Sequence, residues 1–298
     1  MLKYNYFPGC TLKTTAKQLE ISAINVGKIL GFELAELPRW HCCGTVVTLA
    51  SDDKIRSIGA IRTLIRAQET GDDKLVTICS VCLNTLRRIN ARFRDDDEFR
   101  DAVLKFMDDE PPYEGNIKVL HYVDILLELG LDKLRKAVKR KLEGLKVGAY
   151  YGCLLLRPVE FSIDPNPERP TVLEQIVATT GAEVVDFPLK IECCGSFETV
   201  HRPDFVAQRT YEIVESARRA GAETIVTFCP LCHFNLDRRQ KIIMQVNPGF
   251  KPMPILYFTE LLELALSEEE LSWEGHEIDV SDILRRYTTI KKGGINYV

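Results

Sequence analysis

The sequence lacks three common features. It contains no C-x-x-C-x-x-C-x-x-x-C-P run of the ferredoxin type and no G-x-G-x-x-G after a predicted strand. Nor does any stretch approach the roughly 18 consecutive apolar residues that a membrane-spanning helix requires. These absences predict a chain without a ferredoxin-type relay, a dinucleotide-binding fingerprint or a membrane span.

A strong excess of charge is also missing. The formal net charge is −4 over 298 residues, which excludes the basic footprint of a nucleic-acid-binding protein. One basic stretch, residues 131–146, is predicted to be a solvated helix or linker. The opening MLKYNYFPGC has no pattern of a secretory leader, so we expect a cytoplasmic protein with reduced thiols.

The ten cysteines form two sets of five with matching spacing, and none lies outside them. Each set has a lone cysteine, an adjacent pair and a C-x-x-C motif. The first set is Cys10, Cys42, Cys43, Cys79 and Cys82, and the second is Cys153, Cys193, Cys194, Cys229 and Cys232. A twice-used pattern of nucleophilic residues with no remainder indicates two metal centres.

Disulfides and zinc are the alternatives to a multi-iron centre. Neighbouring α-carbons lie about 3.8 Å apart, whereas ordinary disulfides need roughly 4.4–6.8 Å, so the adjacent pairs are poor disulfide partners. Four thiolates complete a structural zinc site, and a fifth is one too many. Adjacent thiolates can reach different irons of one cluster. The pattern therefore favours iron–sulfur, with a zinc scaffold left open.

The similarity between the halves extends beyond the cysteines. LKYNYFPGC at the start matches LKVGAYYGC at 145–153, and KLVTICSVCLNTL matches TIVTFCPLCHFNL. Matching over such a long period indicates duplication of a whole domain. We expect domains at 1–144 and 145–298, the second ending in a C-terminal tail from Ser267. That tail is either a docking arm or a segment that wraps its own domain.

Strand and helix patterns alternate in each half, which predicts α/β domains with small parallel sheets flanked by helices. Helices are expected over 14–30 and 203–220, and short strands over 34–37 and 184–187. A further helix should begin at Ser51, Asp52 and Asp53 and place Ile55, Ile58 and Ile65 on one face. Because ligands collect beyond the carboxyl ends of parallel strands, each cysteine set should converge at one sheet edge.

Several residues near the cysteines have two interpretations. Gly44 and Gly195 either let the backbone approach a metal centre or adopt a left-handed turn. Asn84 and Asn235, just after the C-x-x-C motifs, either bond turn backbone or reach a sulfur. His41 and His233 are each more often structural than catalytic. Weak catalytic candidates are His201 and Arg202, which follow the second cysteine pair.

At these motifs the chain resembles the CCG-domain (cysteine-rich domain) proteins, and particularly the B-type subunit of heterodisulfide reductases. That subunit consists of two such domains, and YYGCLLLRPVEFSIDPNPERP at 150–170 resembles the start of its second one. The resemblance covers nearly the whole chain. One departure is the first pair, which reads CCGTVV where the methanogen subunits have CCP, so the coenzyme M–coenzyme B heterodisulfide is not assumed as substrate.

The resemblance implies a function. Each five-cysteine set would bind a non-cubane 4Fe–4S cluster, and the two clusters would face one another across the domain interface and split a disulfide by two one-electron steps. A ferredoxin-like iron–sulfur subunit (C type) and a flavin-containing subunit (A type) would supply the electrons. The alternative is a non-catalytic electron-transfer subunit of a lactate/glycolate- or succinate/fumarate-linked oxidoreductase.

Overall fold

The structure, a computed structural model, describes residues 1–44 and 54–288. Its first half alternates strands and helices. The elements are β1 (Leu2–Tyr6), α1 (Gly9–Leu12), α2 (Lys17–Leu30), β2 (Phe32–Glu36), α3 (Lys54–Gln68), β3 (Lys74–Thr77), α4 (Ser80–Asp95), α5 (Asp97–Phe106), β4 (Lys118–His121), α6 (Tyr122–Leu129) and α7 (Leu131–Ala137).

The second half repeats this order, except that no α-helix among its described residues corresponds to α1. Its elements are β5 (Lys146–Tyr150), α8 (Val172–Ala178), β6 (Glu183–Val185), α9 (Pro203–Arg219), β7 (Thr224–Thr227), α10 (Pro230–Arg238), α11 (Gln240–Val246), β8 (Ile255–Tyr257), α12 (Phe258–Leu266) and α13 (Ser281–Tyr287). Short 3-10 turns occupy 159–161, 188–191 and 196–198.

Within residues 1–44 and 54–288, each half contains one four-stranded sheet in which every pairing is parallel. The strand orders are β2-β1-β3-β4 and β6-β5-β7-β8. In the first sheet Leu2 aligns with Phe32, and in the second Val147 aligns with Val184. Apolar side chains from both halves form one continuous core. The α/β architecture with two parallel sheets flanked by helices is thus confirmed.

The predicted helices are largely confirmed, with local differences. Helix α2 covers most of 14–30 and ends at Gly31, whose φ of 88° supplies the left-handed residue that closes a helix. Helix α9 matches 203–220 closely. Of the three isoleucines predicted on one face of α3, Ile58 and Ile65 are buried, whereas Ile55 is 70% exposed. The predicted helix start at 51–53 lies outside the described residues.

The two halves pack through α2 and α12. The Ser22 and Thr259 hydroxyls are 2.6 Å apart in a buried hydrogen bond across this contact, and Asn25 donates to Glu263 at 2.7 Å. Close by, the ring of Tyr122 from the first half packs edge-on against that of Phe258 with centroids 5.8 Å apart. The interface is therefore a shared apolar core with a few satisfied polar pairs, the packing expected of a fixed domain arrangement.

The C-terminal segment packs on the second half as far as it is described. Ile278, Val280 and Ile283 are buried, and Arg286 pairs with Glu223 at 2.9 Å. Residues 267–288 therefore pack on their own half, as the second interpretation of the tail expects, while 289–298 lie outside the described residues. Among the helices described, none is both long and apolar enough to cross a bilayer.

Candidate functional site

The cysteines of each set follow the carboxyl ends of three strands. In the first half Cys10 follows β1, Cys42 and Cys43 follow β2, and the C-x-x-C motif runs from the end of β3 into α4. The order β2-β1-β3-β4 reverses the direction of chain progression between β1 and β3. This is the switch point at which open parallel sheets leave a crevice for ligands.

The first set brings its thiols into close contact. Cys43 and Cys82 are both buried, and their sulfurs are 3.5 Å apart. Cys10 lies at the surface. The pKa of Cys10 is raised by its hydrogen bond to Cys42, by partial burial and by the neighbouring thiols. Hydrogen bonds to Cys43 and Cys79, together with burial, raise the pKa of Cys82 well above its ordinary value.

The thiols of the second set form a continuous chain of hydrogen-bonding neighbours. The pKa of Cys193 falls to about 2, first because Cys153 and Cys194 donate to it and then because nearby backbone amides do. One of these, the amide of Gly195, lies 3.3 Å from its sulfur. The pKa of Cys194 rises to about 12, mainly through its hydrogen bond to Cys193.

This donor chemistry fits a multi-iron cluster. All ten cysteines are free thiols, so neither set is closed by disulfides. Without a cation, clustered thiolates repel one another, so most of these thiols stay protonated and donate hydrogen bonds to their neighbours. A multinuclear iron centre would supply the positive charge and accept five sulfur ligands distributed over several irons.

A glycine before each lone cysteine is needed for this close approach, and the sequence interpretation assigned it no role. Gly9 and Gly152 have φ values of 72° and 64°. A β-carbon at Gly9 would lie 2.9 Å from the Cys82 sulfur, and one at Gly152 would lie 3.0 Å from the Cys232 sulfur. The dipeptide Gly-Cys at corresponding places in both halves was the signal that could have revealed this requirement.

The other small and polar residues divide between their two interpretations. Gly44 and Gly195, with φ values of 71° and 80°, adopt the left-handed turn. Asn235 donates to the carbonyl and, at 3.5 Å, to the sulfur of Cys194. Asn84 does bond turn backbone, but the turn is in the other half: its amide donates across the interface to the carbonyls of Leu154 and Arg157.

The two C-x-x-C motifs touch each other. Ser80, between Cys79 and Cys82, donates its buried hydroxyl to the carbonyl of Phe228 at 2.6 Å. Phe228 directly precedes Cys229. The pKa of Cys229 is lowered mainly by the hydrogen bond that Cys232 donates to it, and the Ser80 hydroxyl contributes to the same shift. The described geometry thus places the two cysteine sets on either side of the domain interface.

The candidate histidines and arginine lie in different environments. His201 and Arg202 are exposed just before α9, where the guanidinium of Arg202 lies 5.2 Å from the ring centre of Phe205. Their catalytic role stays a prediction. His233 is buried and donates to the carbonyl of Ile255 at 3.1 Å, which agrees with the structural interpretation.

Comparison with known proteins places these observations in context. The family model described as "Cysteine-rich domain" (CCG) matches residues 4–87 and 147–237. The chain is 30% identical to the "8-methylmenaquinol:fumarate reductase membrane anchor subunit" of Wolinella succinogenes, over 94% of this chain and 99% of that one. It is 27% identical to the B-type subunit of the "Ferredoxin:CoB-CoM heterodisulfide reductase" of Methanosarcina mazei, over 98% of this chain and 99% of that one.

Among solved structures, a hypothetical protein from Helicobacter pylori superposes on 90% of this chain with a TM-score of 0.70 at 9% identity. This chain spans 49% of that structure, and the likeness concerns the fold alone. The family match covers more than half of the sequence and both of its cysteine sets. The protein is a member of the CCG cysteine-rich domain family and carries two copies of that domain.

Proposed function

We propose that this protein is the catalytic iron–sulfur subunit of a heterodisulfide reductase-like complex. It would reduce, or in the reverse direction form, a small-molecule disulfide by two one-electron steps. The observation that carries this proposal is the contact between the two C-x-x-C motifs, because it sets two matched five-thiol sites next to each other. The likeness over nearly the full length to a protein named as the B-type component of a heterodisulfide reductase supports it.

Two non-cubane 4Fe–4S clusters are the proposed cofactors, each held by one five-cysteine set. The first would use Cys10, Cys42, Cys43, Cys79 and Cys82, and the second Cys153, Cys193, Cys194, Cys229 and Cys232. When bound, each cluster would supply one electron and an iron to which one sulfur of the substrate can bind. Gly9 and Gly152 keep the space at each site clear, and Asn235 donates toward the sulfur of Cys194.

The reaction balances only with an external source of electrons. A disulfide takes up two electrons and two protons, its S–S bond breaks, and two thiols form. Because the sequence contains no nucleotide fingerprint, we propose that a ferredoxin-like subunit, fed by a flavin-containing subunit, delivers the electrons. The free state of all ten thiols supports a reducing, cytoplasmic setting.

A second candidate is a non-catalytic electron-transfer subunit of a fumarate-linked reductase. The relative from Wolinella succinogenes, whose name places it in a fumarate reductase, favours it. The two candidates differ in what they require. A relay needs no pair of matched sites that work together, whereas cleavage of a disulfide into two thiols needs both.

Dye-driven catalysis tests the proposal. We expect the full chain, purified without oxygen and supplied with a reduced viologen dye, to convert disulfides to thiols in a two-electron stoichiometry. NADH should not replace the dye, because the sequence contains no dinucleotide-binding fingerprint. Reoxidation of the reduced chain by an electron acceptor, with no thiol formed from any disulfide, would favour the relay. Efficient turnover with NADH alone would contradict both candidates.

A further inference from the structure

A buried cluster of two histidines and one aspartate lies behind the second C-x-x-C motif. His233 and Asp237 are one turn apart on α10, and His276 comes from the C-terminal segment. One possible ligand atom from each residue lies within 4.8 Å of the other two. None of the three residues belongs to the cysteine sites, although His233 directly follows Cys232.

The hydrogen bonds of the two imidazoles leave one nitrogen of each without a proton when the ring is neutral. Nε2 of His233 donates to the carbonyl of Ile255 at 3.1 Å, and Nε2 of His276 lies 2.9 Å from a carboxylate oxygen of Glu260. These acceptors place the proton on Nε2, so Nδ1 carries a lone pair. Nδ1 of His276 is buried without a hydrogen-bond partner in the described structure, and its side chain is only 4% exposed.

In the first half, a single arginine makes the contacts that the two imidazoles make in the second. Arg87 donates to the carbonyl of Val119 and to the carboxylate of Asp124, both at 2.9 Å. In the matched sequences Val119 corresponds to Ile255 and Asp124 to Glu260, while Asp237 stands at the position of Arg87. The second half therefore replaces one guanidinium by two imidazoles and adds a carboxylate.

This exchange leaves an excess of buried negative charge in the second half. Asp237 and Glu260 are both buried. The oxygens of Asp237 accept the backbone amides of Glu277 and Ile278, at 2.6 and 3.0 Å, which fixes the carboxylate beside His276. Buried carboxylates need a paired cation or a bound metal.

We propose that His233, Asp237 and His276 bind a divalent transition-metal ion, with Zn²⁺ the ion best suited to two imidazoles and one carboxylate. Glu260 and the Ile255 carbonyl orient the two rings, as carboxylates and carbonyls do behind metal-bound histidines. A water molecule would complete a four-coordinate site. The ion would fasten the C-terminal segment to the helix that carries Cys232, and so support the second cysteine site.

A protonated His276 is the competing explanation. Burial lowers the pKa of His276, but Glu260, Asp237 and the Ile255 carbonyl together raise it above its ordinary value. An imidazolium would then balance the two carboxylates without any metal. The two explanations differ in metal content. The first predicts a metal ion with nitrogen and oxygen neighbours, and the second predicts no metal at this site.

The test uses the full chain purified without oxygen, with its iron–sulfur content intact, and dialysed against Zn²⁺ and then against metal-free buffer. We expect about one tightly held zinc per chain, with X-ray absorption giving nitrogen and oxygen neighbours at about 2.0–2.1 Å. The variants His276→Gln and Asp237→Asn should lose this zinc. Glu260→Gln should weaken its binding about 10–100-fold, because it changes only the orientation of His276.

Glu274→Gln is the matched control, since Glu274 is exposed on the same segment, and it should retain the zinc. Circular dichroism checks that each variant is folded. If a variant is unfolded, the X-ray absorption spectrum of the wild type still shows which atoms bind the zinc. Zinc with sulfur neighbours at about 2.3 Å would belong to the cysteines and would overturn the proposal. Retention of no zinc by the wild type would also overturn it, and His276 would then be the buried cation.

Discussion

Helices α4 and α10 occupy the same place after their C-x-x-C motifs, yet they contact different neighbours. From α4, Asn84 donates to the carbonyls of Leu154 and Arg157 in the second half, at 3.0 and 2.6 Å. From α10, Asn235 donates to Cys194 within its own half. The first helix thus holds the two halves together, whereas the second supports its own cysteine pair.

The same difference appears further along each helix, at the equivalent positions Arg87 and Asp237. Arg87 of α4 reaches both Asp124 of its own half and the carbonyl of Phe161 in the other. Asp237 of α10 instead anchors the C-terminal segment. The repeated elements place the cysteines in equivalent positions, but the residues behind them have different tasks. Equivalent substitutions in the two halves should therefore affect the cysteine sites alike and the surrounding fold differently.

The largest expected effect is equal in the two halves. Replacing Cys43 or Cys194 by Ala removes a buried thiol from one site and leaves the fold largely intact, because the core is otherwise unchanged. Either variant should lower dye-driven disulfide reduction more than about 100-fold, since even changes behind the ligands of a metal site cost about 10–100-fold. Iron content should fall at one site only. A variant that loses its cluster but keeps near-normal disulfide reduction would replace the paired mechanism by the relay.

Replacement of Arg87 should lower the unfolding free energy, because this residue of α4 links the two halves. Arg87→Met removes the ion pair with the carboxylate of Asp124 and the contact to Phe161, which should cost about 3 kcal/mol of unfolding free energy. Arg88→Met is the control, because Arg88 is exposed on the same helix, and its effect should stay within about 0.5 kcal/mol. Denaturant titration measures both. Equal losses from the two variants would mean that Arg87 is not a link between the halves.

Alanine at Gly9 or Gly152 should disturb the two sites to a similar degree. Each substitution imposes a left-handed backbone strain of about 1–2 kcal/mol and brings a β-carbon against a cysteine sulfur. Gly71→Ala separates these effects, because Gly71 has a φ of 78° with open space around it. All three variants should lose stability, but only Gly9→Ala and Gly152→Ala should lose iron. Normal iron content in those two would remove the steric explanation for the Gly-Cys motif.

The smallest effect concerns pH and centres on His121, while buried His233 of the second half, whose pKa burial also lowers well below its ordinary value, makes a separate contribution. Burial lowers the pKa of His121 to about 3, whereas Tyr257, its counterpart in the second half, is not a histidine. Below about pH 6.5 the unfolded chain binds a proton that the folded chain excludes, so stability should fall by about 1.4 kcal/mol per pH unit.

His121→Gln should remove that contribution while keeping a donor for Ile78. Unfolding of both proteins at about pH 7 and about pH 5.5 measures the difference. An identical pH dependence of the two proteins would show that His121 does not titrate as described.

The sequence predicted the parts of this molecule that follow from local pattern. Alternation of strands and helices, duplication and the convergence of the cysteines all came from spacing, and α9 was placed almost to the residue. The strand order could not be read, because neighbours in a parallel sheet are set by long crossovers. The exposure of Ile55 could not be predicted for a related reason, since periodicity identifies a helix face but not how far the core extends along it.

The supporting residues were harder to predict because their partners are distant in sequence. Asn84 bonds to residues about 70 positions away, and nothing in its neighbourhood indicates the other half. The roles of Gly9 and Gly152 depend on a sulfur from another strand's end. Likewise, the link between Asp237 and the C-terminal segment appears only after folding.

Metal and sulfide analysis of the anaerobically purified full chain tests the central claim most directly. Two non-cubane clusters predict about 8 iron and a similar amount of acid-labile sulfide per chain. Any zinc present should have nitrogen and oxygen neighbours, as the histidine–aspartate cluster requires. Negligible iron and sulfide, with zinc bound through cysteine sulfur, would contradict the account.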